Sequence, residues 1–110
     1  MTIRGYDIIK IEIHNYFNGN LGLELICLDK EFGIPEPFAI ITKNLEDNLA
    51  HDEAYMDINN CPWLVDLLET YKIAKPTGET FQSGFVEYPK YKVDFHRIDE
   101  LNKGELACEQ

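Results

Sequence analysis

Hydrophobic and polar positions alternate first between residues 6 and 16. Ile9, Ile11 and Ile13 fall on one side, Lys10, Glu12 and His14 on the other. Alternation with period two predicts a half-buried strand. Phe17-Asn18-Gly19-Asn20 follows, and Asn-Gly is a strong hairpin signal because its turn needs left-handed backbone. Leu21, Leu23, Leu25 and Cys27 then alternate with Gly22, Glu24 and Ile26, predicting the second strand of the hairpin. Residues 29–37 hold Gly33, Pro35 and Pro37, which suit a loop better than a strand interior. Phe38, Ile40 and Thr42 mark a third strand over 38–42, and Tyr55, Met56 and Ile58 a fourth over 54–58. Between them, residues 44–53 read as an exposed acidic loop.

The period changes after Asn59-Asn60. Leu64, Leu67, Leu68 and Tyr71 recur at i, i+3, i+4 and i+7, one face of a helix. The predicted helix spans roughly 61–73, with Asn60 as its cap and Pro62 in its first turn. Lys75-Pro76-Thr77-Gly78 turns the chain, and residues 79–95 look extended, interrupted by Gly84 and Pro89. Two strand pieces or one bulged edge strand are expected there. The tail from Arg97 holds one helical turn at 98–102 and then frays. The expected fold is therefore α+β: a single domain over 1–110, with an antiparallel sheet of about four to five strands and one main amphipathic helix packed on it.

Composition narrows the function classes. Apolar residues make up 45% of 110 residues, enough for one core. The uncharged stretch Ile13–Leu23 is too short and too rich in Asn and Gly to span a bilayer. No apolar leader is visible at the start, so the expectation is a cytoplasmic protein. The three cysteines, Cys27, Cys61 and Cys108, form no C-x-x-C pair, which disfavours a disulfide framework or a zinc site. Twenty acidic residues against ten basic ones leave a net charge of −10. That opposes direct binding to nucleic acid or to anionic membranes and permits a basic protein surface as partner.

Candidate chemistry is sparse. His14, His51 and His96 lie far apart without ligand spacing, and Ser83 lacks a nucleophile elbow. No phosphate-cradling glycine loop precedes a helix. The expectation is a non-enzymatic protein without cofactor or metal. The partner-binding candidates are Glu46, Asp47, Asp52, Glu53 and Asp57 leading into the helix, Asp66 and Glu69 on its outer face, and Tyr88 and Tyr91 as anchors. Spaced carboxylates can stand in for phosphates in a nucleic-acid-binding groove, and Tyr is a favoured interface residue.

Several blocks carry a resemblance. Pro37-Phe38-Ala39-Ile40-Ile41-Thr42-Lys43-Asn44-Leu45 resembles a "PFA-x-x-T-x-NL" block, and Asp57-Ile58-Asn59-Asn60-Cys61-Pro62-Trp63 a "D-x-N-N-x-P-W" block. Pro76-Thr77-Gly78, Ser83-Gly84-Phe85 and Tyr88-Pro89-x-Tyr91 resemble "PTG", "SG-[YF]" and "YP-x-Y" signatures. Together, over about residues 18–95, they resemble a family of small bacterial proteins known only as a domain of unknown function. The loop at 29–37 is longer than in that pattern. The resemblance implies cargo of phages, plasmids or conjugative elements. It further implies overlap with anti-CRISPR inhibitors of Cas9-type nucleases. The resemblance implies no catalytic residues. The extended segment at 85–95 offers an edge for pairing with a second copy, which the helix or tail can equally cover, so monomer and homodimer both stay open. The competing expectations are an accessory or regulatory protein of element transfer, a small-molecule enzyme, and a small-ligand or metal sensor.

Overall fold

The computed structural model describes residues 1–46 and 48–105. In chain order these form β1 (Thr2–Ile3), β2 (Tyr6–Asn15), β3 (Leu21–Leu28), β4 (Pro35–Ile40), β5 (Thr42–Lys43), β6 (Glu53–Met56), α1 (Leu64–Thr70), β7 (Ala74–Ser83), β8 (Val86–Val93) and α2 (Phe95–Glu100), with a π-helical turn at Leu101–Glu105. The strands pair antiparallel in two four-stranded sheets, ordered β1-β2-β3-β4 and β5-β6-β8-β7.

This corrects the α+β expectation of one sheet under a main helix: the fold is mostly antiparallel β. The helical period did mark a buried stripe, since Leu64, Leu67 and Leu68 are all buried. It covers only seven residues, however, because Trp63 is the N-cap and Lys72 takes a positive φ of 57° just past the end. Asn60 does not cap the helix. A helix this short buries one stripe, and a second sheet supplies the rest of the core.

The β2–β3 hairpin forms where the Asn-Gly turn predicts it. The Tyr16 amide donates to the Asn20 carbonyl at 2.7 Å, and Gly19 holds φ +87°. The alternation along β2 does not survive intact. A bulge between Ile8 and Lys10 puts Ile8 and Ile11 in the core, leaves Ile9 half-buried and leaves Ile13 46% exposed. Pro35 and Pro37, expected in a loop, lie in β4, the edge of the first sheet. Pro76 lies in β7, the edge of the second, at a bulge between Pro76 and Thr80. An edge strand has one free side, where a missing N–H costs no ladder bond. The turn expected at 75–78 is therefore that bulge, and the chain reverses at Gly84 (φ +62°) instead.

The sheets are joined by one strand that leaves the first and enters the second. The Ile41 amide donates to the Leu23 carbonyl at 3.0 Å, and the Ile41 carbonyl accepts from the Asp57 amide at 2.8 Å. Thr42 then pairs with Met56. The buried Thr42 hydroxyl accepts from the Leu23 amide at 3.2 Å and lies 2.9 Å from the Tyr16 hydroxyl. Between the sheets, Leu23, Leu25 and Ile11 meet Met56, Ala54 and Val93, closed by the α1 leucines.

The turn expected at 98–102 falls within α2 and the π-helical turn, and this part of the tail is docked, while residues 106–110 lie outside the described residues. Asp94 caps α2 by accepting from the Arg97 amide at 3.0 Å, and Ile98 and Leu101 are buried. The Asn102 side chain accepts from the Ile11 amide at 2.8 Å and donates to the Ile11 carbonyl at 2.9 Å. A side-chain amide thus continues the pairing of β2 on the side where the two-residue β1 covers only Tyr6 and Asp7. Cys108 lies outside the described residues.

Candidate functional site

The acidic loop between β5 and β6 is fastened to the body by asparagines and by its own acids. The buried Asn20 side chain donates to Asn44 Oδ1 at 2.9 Å and to the Glu46 carbonyl. Glu46 Oε1 accepts from the Tyr55 hydroxyl at 2.7 Å. Tyr55 is 2% exposed, and burial first, then this carboxylate, holds its phenol well above the usual range. Lys90, also buried, lies 5.7 Å over the Tyr55 ring and 3.2 Å from Glu79. Asp52 accepts the Val93 amide on its carbonyl at 2.7 Å, and its carboxylate lies 3.9 Å from the Lys92 ammonium. Glu53 Oε1 accepts from the Ala50 amide at 3.1 Å. Asp57 is 5% exposed and takes both the amide and the side-chain nitrogen of Asn60 at 3.3 and 3.0 Å. These four acids shape the segments that carry them. Asp57 in particular is no surface group, because its oxygens close the turn into α1. Asp47 lies outside the described residues.

The tyrosine anchors are corrected in the same way. Tyr88 and Tyr91 are 7% and 6% exposed, and Tyr91 packs into the hydrophobic core. Tyr91 pairs in register with Ala54 and Pro76. Burial, then the charge of Glu69, raises its phenol. Neither ring is free to meet a partner.

Asp66 and Glu69 are exposed on α1, as expected. Asp66 lines a cleft of about 360 Å³ between α1 and the β1–β2 turn, with Arg4, Trp63 and Thr70 also on its walls. Arg4 holds φ +51°, a backbone that non-glycine residues rarely adopt. From Trp63 a row of rings crosses the surface. Phe38 lies 5.8 Å from Trp63, and Tyr6 5.3 Å from Phe38, all tilted. Tyr6 is 50% exposed, while Phe38 and Trp63 are half-buried. Such a row beside a carboxylate can receive cationic side chains, since an aromatic face and an acid both attract them.

Tyr6 and Phe38 were not legible as site residues. Each sits in a strand whose pattern says only that it is β, and the row exists because the end of β2, β4 and α1 converge. Phe17 and Phe85 are fully exposed at the tips of the two hairpins. A phenylalanine beside Asn-Gly or Ser-Gly, where a polar residue would serve the turn, was the available signal.

The remaining reactive groups have plain surroundings. The Cys61 thiol is buried, and burial first, then Asp57, raises its pKa, with Arg4 opposing. Among the described residues, no three His, Cys, Asp or Glu side chains are grouped to hold a metal ion, and no helix is long and apolar enough to cross a membrane. The model of the DUF4313 family, described as a domain of unknown function, matches residues 10–109. No curated protein and no solved structure matches the chain.

Proposed function

The chain belongs to the DUF4313 family, and from that premise we propose that it is a non-enzymatic, acidic binding protein of a mobile element that occupies the basic nucleic-acid groove of a partner. A Cas9-type nuclease is the partner to test first. The observation that carries the reading is the Tyr6–Phe38–Trp63 row running into a cleft edged by Asp66, on a chain of net charge −10. In this reading Asp66 and Glu69 meet lysine and arginine side chains that otherwise hold phosphates. The ring row supplies apolar area near the centre of the contact, where interface energy concentrates.

The experiment is DNA cleavage by guide-loaded Cas9-type nucleases, with the protein titrated in before or after the DNA. Dose-dependent loss of cleavage near stoichiometric ratios, seen only when the protein is added first, supports groove competition. Trp63→Ala and Asp66→Lys should each raise the inhibitory concentration by about tenfold or more, the size of one interface hot spot. Inhibition should also weaken as salt rises through the physiological range. Full cleavage at large excess removes those nucleases as partners.

A further inference from the structure

Away from the ring row, three lysines of this acidic chain line one open groove of about 570 Å³: Lys72 after α1, Lys75 in β7 and Lys92 in β8. Ala74, Val93 and Phe95 give it an apolar wall, and Asp94 is the one acid lining it. Lys75 stands directly opposite Lys92 in the β7–β8 register, a like-charge relation that destabilises a sheet. A lysine on an edge strand guards against edge pairing, which would account for Lys75 alone. It does not account for Lys72, which lies off the sheet, while Lys92, on a strand paired on both sides, stands opposite Glu53 of β6 as well as Lys75 of β7. The φ of +57° at Lys72 belongs to the end of α1, where its amide returns to the Glu69 carbonyl and that of Ile73 to Leu68. Asp52 lies 3.9 Å from Lys92, whose side chain is 69% exposed, so the pair is screened and leaves most of the positive charge available. Phe95 is half-buried and stacked on His51, with ring centroids 6.1 Å apart at 27°.

We propose that this groove binds the polyphosphate group of a small molecule, with Lys72, Lys75 and Lys92 around the anion and Phe95 against the remainder of the ligand. Lysine serves as a mobile point charge for phosphate. Three of them in one recess produce a local positive field on a molecule that repels anions elsewhere. Glu69 shares a neighbouring recess with Lys72 and Lys75, but the ring row, Trp63 and Asp66 lie outside the groove. The Trp63 and Asp66 variants therefore test the partner surface and the lysine variants test the groove, and either can fail without the other.

The test is calorimetric titration of the full chain at low salt with inorganic tripolyphosphate and, separately, with ATP free of divalent ions. Saturable one-to-one binding of tripolyphosphate is expected, with ATP tighter because its base can lie on Phe95. Lys75→Gln and Lys92→Gln should each weaken binding by about tenfold, the loss of one charge-assisted contact. Lys30→Gln, on the β3–β4 loop, should leave it unchanged. Lys75→Gln relieves the like-charge pair, so its melting temperature should hold or rise, which separates lost binding from lost folding. ATP no tighter than tripolyphosphate overturns the role given to Phe95. Absence of saturation by either anion, or equal weakening by Lys30→Gln, overturns the site.

Discussion

At the scale of single residues, burial decides which polar groups are available to a partner and which hold the fold. Tyr55 shows the consequence for pH. Its folded phenol keeps its proton more strongly than the ordinary value of 10.0, because of burial and the Glu46 carboxylate. Below that ordinary value both states are protonated and the full stabilisation is present. Above it the unfolded chain loses the proton while the folded chain keeps it, so stability falls as pH rises. Chemical denaturation should therefore show a decline above about pH 10 that is shallower in Tyr55→Phe. At neutral pH the same variant should lose about 1–2 kcal/mol, since the Glu46 carboxylate is left without its donor. Leu64, Leu67 and Leu68 were legible as buried residues because a period of 3.6 is written into their spacing. Asp57 and Tyr91 were not. An acid that closes a turn and an acid on display have the same letter, and a tyrosine's exposure depends on whether its face of the strand meets the core.

At the scale of elements, local chemistry was readable and pairing was not. The β2–β3 hairpin is specified by adjacent residues through Asn18-Gly19. The division into two sheets depends on contacts far apart in sequence, and on prolines being admitted at edges that no local pattern announces. The tail illustrates the same point, because its docking includes a side chain ninety-one positions from its partner. Asn102→Ala should cost about 1–2 kcal/mol for two lost hydrogen bonds and speed hydrogen exchange at the Ile11 amide. Asn102→Asp should restore only the bond from that amide, since a carboxylate cannot donate to the Ile11 carbonyl, and should give an intermediate stability. Equal stability of all three proteins would show that Ile98 and Leu101 alone secure the tail.

At the scale of the whole molecule, charge was the most legible property, and the surface it serves was the least. A net charge of −10 opposes compactness through self-repulsion. Added salt should therefore stabilise the folded chain, by less than about 1 kcal/mol or a few degrees in melting midpoint, while weakening binding to a basic partner. Opposite signs in the two experiments would separate the fold's electrostatics from the interface's. The acid-rich loop drew attention in the sequence because its charges are contiguous. In three dimensions Glu46, Asp52 and Glu53 are tied back to the fold, and the exposed Asp66 on α1 lines the cleft at the end of the ring row.

The strand crossing at Ile41–Thr42 governs how this molecule comes apart. One continuous backbone is hydrogen-bonded to Leu23 on one side of the crossing and to Met56 on the other, and Leu23 also donates to the Thr42 hydroxyl. Neither sheet can open at that end without pulling the other out of register. Denaturation followed by one probe in each sheet should therefore give coincident transitions, as one cooperative unit does and two foldons do not.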